Sequence, residues 1–99
     1  MIIVNVKIRP KASCKQDFIK AFNNVAQLVR QEDGCLEYEL HQKTASDSEL
    51  FLFERWESND ALNKHLRAKH MTEYITKVKD LLEVKNELNI YKAENIKLN

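Results

Sequence analysis

The stretch FERWESNDALNKHLRAKHM, residues 53–71, holds the only Trp of the chain and two of its three His. His65 falls four residues after Ala61 and three after Leu62, which puts it on the apolar stripe of a helix, pointing inward. A neutral imidazole beside an apolar cavity can act as a general base. The same pattern also fits a core histidine bonded to a carbonyl. His70 opens a second helical pattern, four residues before Tyr74. A helix N-terminus disfavours imidazolium, so His70 is either a second proton acceptor or a surface residue beside Lys69. Four residues between two His across a helix break is not a zinc spacing. No Cys or carboxylate cluster accompanies the pair, so no metal is expected.

Three further side chains could line a site around these histidines. Trp56 ends a strand on the same face as Glu54, Leu52 and Leu50. There it can wall a pocket for an aromatic ligand or simply fill the core. Glu54, if buried on that face, needs a partner or a raised pKa. Tyr74 belongs to the inward stripe of the helix that begins near Lys69. Asn5 is a polar residue in an apolar strand and is a fourth candidate contact to a ligand. Strand parity sets it opposite Val4 and Val6, so it faces either the pocket or a second protein chain.

The elements that must position these groups follow from periodicity. Residues 2–9 alternate, with Ile2, Val4, Val6 and Ile8 on one face, which reads as a half-buried strand ended by Pro10. Ser13 and Gln16 have capping-box spacing for a helix running to about residue 31, with Phe18, Phe22, Val25 and Val29 as its buried stripe. Gly34 is placed to close it in the left-handed conformation. Residues 35–43 alternate again, with Leu36, Tyr38 and Leu40 expected on one face and Cys35, Glu37, Glu39 and His41 on the other. A polar turn leads to a third strand at 50–57, and Ser58 caps a short helix. The helical pattern restarts near Lys69, with Met71, Tyr74, Ile75, Val78 and Leu82 as its stripe, and a last strand covers about 84–92. Residues 93–99 read as a polar tail that is loose or contacts a partner.

This order is β-α-β-β-α-β with a broken second helix. It predicts an α+β, ferredoxin-like, four-stranded antiparallel sheet with the helices on one face. The other face carries Ile3, Cys35, Phe51 and Phe53 among charges, too apolar to leave wet. A second copy packed there, giving a homodimer through the sheet face, is the expectation.

Composition narrows the function classes. The 99 residues fit a single domain, 1–99, that would gain from dimerisation. Lys plus Arg is 16 and Asp plus Glu is 15, spread along the chain, so no electrostatic footprint for nucleic acid is present. No apolar run approaches ~20 residues, so no membrane span is expected. MIIVNVKIRP has no basic region ahead of its apolar residues and reads as a strand, not a secretion signal. Cys14 and Cys35 fit no zinc or redox spacing, which suits reduced thiols and a cytoplasmic location. With one Gly in the chain, neither a P-loop nor a dinucleotide fingerprint can be built. Chemistry must then come from side chains in a pocket, or from the substrate itself.

The segments EDGCLEYELHQ (32–42) and LFERWESNDALNKHLRAKHM (52–71) resemble the antibiotic biosynthesis monooxygenase family, of the small quinol-monooxygenase type. The shared features are Gly-Cys-x-x-Tyr, Glu-x-Trp-Glu-Ser, Ala-Leu-x-x-His-Leu and His-Met. The resemblance implies a dimeric α+β barrel with the pocket between helices and sheet. It implies oxidation of a small quinol or polyphenol by O2 with no cofactor, neither metal nor flavin. His65 and His70 fall on the family's two helix histidines as the catalytic pair. Glu54 and Trp56 fall on its third-strand pair; with Asn5 and Tyr74, taken from the residue pattern itself, they are the expected substrate contacts. Haem-degrading relatives use an Asn, Trp and His set. Here His65 stands in place of that Trp and Ile75 near that His, which leaves no proximal ligand. Two other classes stay open: an isomerase or decyclase on the same pocket, and a non-catalytic dimeric domain that binds a small molecule.

Overall fold

The computed structural model describes residues 1–98. The expectation of a tail at 93–99 falls in part on residue 99, outside the described residues. Strand β1 is Ile2–Ile8, helix α1 Lys15–Val29, β2 Cys35–Gln42, β3 Leu50–Trp56, α2 Asn59–Arg67, α3 Lys69–Val78 and β4 Glu87–Lys92. The four strands form one antiparallel sheet in the order β2-β3-β1-β4, the ferredoxin-like arrangement expected from the sequence. Among the described residues no helix is long and apolar enough to cross a membrane.

The core lies between the helices and one sheet face. Ile2, Val4, Val6 and Ile8 of β1 point into it, as do Leu50, Leu52, Glu54 and Trp56 of β3. Helix α1 brings Phe18, Ala21, Phe22, Val25, Ala26 and Val29 onto them. The period-two and period-3.6 stripes meet in one apolar layer, which supplies most of the favourable free energy of folding.

Several local expectations are corrected. Ser13 and Gln16 form no capping box. A short 3-10 turn at Ala12–Cys14 leads into α1, Cys14 is its N-cap, and no side chain caps it. The helix ends at Val29: the next amides turn to carbonyls three residues back, Gln31 N–H to Leu28 and Glu32 N–H to Val29, while the Arg30 guanidinium donates to the Tyr38 carbonyl at 2.8 Å. A bulge lies between Cys35 and Glu37, where Cys35 pairs with Trp56 and Glu37 with Arg55. The extra residue reverses the parity of the strand start: Leu36 is exposed, and Cys35 packs on the core rather than on the open face. Ile75, expected in the α3 stripe, is exposed, while Met71 and Val78 are buried. Strand β4 begins at Glu87, three residues later than expected. Its helix-side residues Leu88 and Ile90 are half-exposed, because the helices do not reach over this edge.

Two joints fix the site. Gly34 has φ +82 and ends the turn after α1, and its carbonyl accepts from the Glu57 backbone N–H at 2.8 Å. A Cβ there would stand 2.5 Å from the Ala61 Cβ, so both the conformation and the close approach require glycine. Ser58 accepts from the Ala61 N–H at 3.2 Å and starts α2. Ala68, with φ −64 and ψ 140, ends α2 and begins α3 in a single extended residue.

Gly34→Ala combines left-handed strain with overlap against α2 and is expected to cost about 2–4 kcal/mol. Urea denaturation measures it. A loss below about 1 kcal/mol would show that the joint can yield.

Candidate active site

The break at Ala68 decides where the histidines go. In one continuous helix, residues five apart differ by about 140° around the axis and cannot share a target. Because α3 starts afresh after one extended residue, His65 near the end of α2 and His70 at the start of α3 both reach Glu32, in the turn after α1. His65 Nδ1 lies 3.0 Å from Glu32 Oε2 and 3.3 Å from Oε1, and His70 Nε2 lies 2.8 Å from Oε2. The carboxylate accepts from the His65 ring and meets His70 through the same oxygen. That fixes His65 with its proton on Nδ1 and its Nε2 free of one.

Glu32 is itself held by the backbone. Its N–H donates to the Val29 carbonyl at 3.0 Å, and its carbonyl accepts from Cys35 N–H at 3.2 Å. The Arg30 clamp on Tyr38 ties this turn to β2. Sequence reasoning missed Glu32, which read only as part of the helix-closing EDG. The signal available was an acidic residue beside the chain's single Gly, in a turn that a ferredoxin-like fold sets against the second helix.

On its other side His65 faces the sheet. Its Nε2 stands 3.9 Å from Glu54 Oε1, and that oxygen accepts from Trp56 Nε1–H at 2.9 Å. Glu54 and Trp56, two apart on β3, share a face, so the indole N–H reaches back to the carboxyl. Across the sheet Glu54 is in register with Tyr38. The His65 ring lies between Trp56, at 4.5 Å between ring centroids, and Tyr38, edge-on at 5.7 Å. Tyr38 stacks in turn on Phe22 at 5.3 Å, and Tyr74 tilts against Phe18 at 6.4 Å. Tyr38 was expected only as a face residue of β2, yet it forms a wall of this site.

Burial sets the charge states. His65 is 1% exposed and Glu54 5%. Burial lowers the His65 pKa, opposed by the Glu32 hydrogen bond and charge. Burial raises Glu54 to about 7, opposed by the Trp56 hydrogen bond and aided by the charge of Glu32. Tyr38 and Tyr74 are pushed up by burial and by the Glu54 charge, so both remain neutral phenols. Cys35 is pushed up to about 11 by burial, then by Glu32 and Glu54, and stays a thiol rather than a nucleophile. A neutral imidazole beside a carboxyl titrating near neutrality is an acid–base pair.

Of the residues singled out by sequence, His65, His70, Glu54 and Trp56 come together. Tyr74 joins them from α3, within the field of Glu54. Asn5 does not. It lies on the open sheet face between Phe53 and Asn89, on the far side of the sheet from His65, and its Oδ1 is buried without a partner. Strand parity excludes it from this site. His70 and Tyr74 also line a groove of about 200 Å³ between α1 and α3, with Ala21, Val25 and Leu28 as apolar wall and Asn24, Glu73 and Lys77 at its rim. Among the described residues no group of three or more His, Cys, Asp or Glu is arranged to hold a metal ion.

A family model described as antibiotic biosynthesis monooxygenase matches residues 1–77. Rv0793 of Mycobacterium tuberculosis, provisionally named a monooxygenase, is 31% identical over 81 residues, covering 82% of this chain and 79% of that protein. Its solved structure superposes with a TM-score of 0.89 at 25% identity, covering 96% of each chain. A Deinococcus radiodurans structure, provisionally an antibiotic biosynthesis monooxygenase, superposes with a TM-score of 0.91 at 26% identity, covering 100% of this chain and 99% of that one. An uncharacterized Synechocystis protein, sll1783, is 31% identical over 88 residues, 89% of this chain. The present chain spans 58% of that relative's length.

The raised pKa of buried Glu54 makes stability depend on pH. Its folded value, about 7, lies above its ordinary 4.5, so between them the folded state binds more protons than the unfolded. The contribution of Glu54 is full below about 4.5 and is lost as pH rises through 7. His65, lowered, runs the other way: its contribution is full above 6.5 and is lost as pH falls. Comparing Glu54→Gln with the parent largely cancels the His65 effect. The variant is expected to gain on the parent from pH 5 to pH 8, by up to roughly 3 kcal/mol. Urea denaturation at each pH reads it, and a pH-independent difference would contradict a buried charge at Glu54.

Proposed function

The chain belongs to the antibiotic biosynthesis monooxygenase family, and from that premise we propose that it oxidises a small quinol or polyphenol with O2, its own side chains supplying only acid–base chemistry. The observation that carries this reading is His65: buried, with Nδ1 fixed on Glu32 and Nε2 free and turned toward Glu54. We assign the substrate's entry to the groove between α1 and α3, which His70 and Tyr74 line.

His65 Nε2 takes the phenolic proton. The resulting anion is electron-rich enough to pass one electron to O2, giving superoxide and a substrate radical. These recombine at a ring carbon that bears hydrogen, forming a C–O bond. The peroxide anion is protonated, and loss of water leaves a carbonyl. One O2 is consumed, one oxygen enters the product, the other leaves as water, and the borrowed proton is returned. Glu54, near half-protonated at neutral pH, is the donor to the peroxide. Tyr38, Tyr74 and Trp56 enclose the reacting ring and keep water away from the anion.

The protein works as a homodimer in this reading, the second copy lying on the open sheet face. Ile3, Phe51 and Phe53 present half-buried apolar surface there, and the unpartnered Asn5 Oδ1 offers an acceptor to a facing donor. Phe53→Asp should halve the mass seen by light scattering on a sizing column while leaving the helical circular dichroism unchanged. A parent that is already monomeric would overturn this arrangement.

Oxygen uptake tests the reaction, against reduced naphthoquinols and catechols, with EDTA present and autoxidation subtracted. EDTA-insensitive uptake is expected. His65→Ala should lower kcat/KM by about 10²-fold or more. Uptake unchanged in a folded His65→Ala protein would remove the base from the mechanism. Turnover of the same substrates without oxygen would make the protein an isomerase or decyclase. Tight binding with no turnover would make it a binding domain.

A further inference from the structure

The reading above gives His65 a proton and leaves the second imidazole without a task. His65 is 1% exposed, and an imidazolium there is opposed by burial. His70 is different: its side chain is 26% exposed, at the mouth of the groove. The Glu32 carboxylate, 15% exposed, touches both rings at 3.0 and 2.8 Å through the same oxygen.

We infer that His65, Glu32 and His70 form a proton relay that connects the buried base to the groove mouth, with Glu32 as the obligatory link. This rests on His65 being the base. When His65 Nε2 takes a proton from the substrate, its Nδ1 proton crosses to Glu32. Glu32 passes a proton to His70 Nε2 while that ring carries its own proton on Nδ1. The imidazolium at His70 then releases the Nδ1 proton to water. Each step makes one N–H or O–H bond and breaks one. The reverse sequence returns a proton to His65, whose Nε2 recharges Glu54 after that carboxyl has protonated the peroxide, in keeping with an oxidation that neither gains nor loses protons overall. The positive charge thus resides at the wetter end rather than between Trp56 and Tyr38.

Other charged and titratable groups face the relay. Glu54 from β3 and Tyr38 from β2 face His65. Glu73 and Lys77 line the groove beside His70, with Asn24 of α1 opposite, and Glu73 is itself 3.8 Å from Lys69. None of these bridges the two rings; among the described residues Glu32 alone does.

Histidine ring ¹⁵N NMR across pH 5–9 tests the link without any turnover. In the parent, titration of His70 should move the His65 Nδ1 resonance. In Glu32→Gln the two rings should titrate independently. Glu32→Asp, which keeps the charge but shortens the reach, should weaken the coupling and guards against misfolding of the Gln variant. Independent titration in the parent, or His65 resonances unchanged in both variants, would overturn the relay whatever the activity assay shows. The second readout is oxygen uptake in dilute buffer. His70→Ala should lose roughly 10-fold in kcat, less than loss of the base itself, and added imidazole should restore it. His65→Ala should show no such rescue. A His70→Ala loss that no buffer restores would make His70 structural and overturn the relay. Absence of uptake by the parent would remove the monooxygenase reading, while the titration would still decide the proton link.

Discussion

A carboxylate placed where two imidazoles can both reach it is the constraint on which this site depends. Glu32 sits in a turn, not on a regular element, so nothing in helix or strand geometry fixes it by default. Three bonds do: its own amide to Val29, its carbonyl from Cys35, and the Arg30 clamp onto Tyr38. Gly34 then allows the chain to enter β2 within van der Waals reach of α2. Were the turn looser, Glu32 would move into water. His65 would then be left as a buried ring with an unpaired N–H, a state that costs on the order of 1–3 kcal/mol. The same geometry that stabilises the core thus orients the proposed base.

The aromatic shell follows from the same demand. A buried acid–base pair is tolerable only where each polar atom has a partner and the remaining contacts are apolar. Trp56 serves both needs, its N–H satisfying Glu54 and its ring packing on His65. Tyr38, braced by Phe22, closes the other side. Glu54 is held near neutrality, not as a strong acid or a fixed anion, because burial and the Glu32 charge push its pKa up while the indole hydrogen bond pulls it down. The two sheet faces divide the work: one carries this pair, the other carries Ile3, Phe51, Phe53 and the unpartnered Asn5.

The sequence disclosed much of this and concealed a definite part. Strand and helix periods placed each of the four strands and three α-helices, and His65 was legible as inward-facing from Ala61 and Leu62 alone. The left-handed Gly34 and the Ser58 cap were equally plain. What the pattern could not carry were single-residue events. The bulge at Leu36 reverses parity without altering composition, so Cys35 and Leu36 exchange faces. The Ser13–Gln16 spacing matched a cap, but a 3-10 turn took its place. Glu32 was hidden because its role arises from contacts 33 and 38 residues away along the chain. Asn5 was ambiguous by residue type, yet parity already placed it on the face away from Val4 and Val6.

The site's electrostatics also limit which substrates the proposed chemistry can use. A simple phenol has a pKa near ~10, and a His at its ordinary ~6.5 accepts that proton at a cost of about 5 kcal/mol. Burial lowers His65 further, so the cost for an unactivated phenol is larger still. Glu32 offsets part of it by stabilising the imidazolium through Nδ1. Glu54 works against the phenolate whenever it is ionised, and near neutral pH it is ionised about half the time. The balance favours aromatics whose hydroxyl is already acidified, by conjugation to a carbonyl or by an adjacent hydroxyl that can bond the anion internally. Those are also the rings whose anions are extended enough to spread the radical onto carbon, where oxygen must attach. The acidity that this pocket demands and the electron-richness that O2 demands meet in quinols and fused polyphenols. Under the proposed chemistry, substrate choice is therefore a matter of proton affinity as much as of shape.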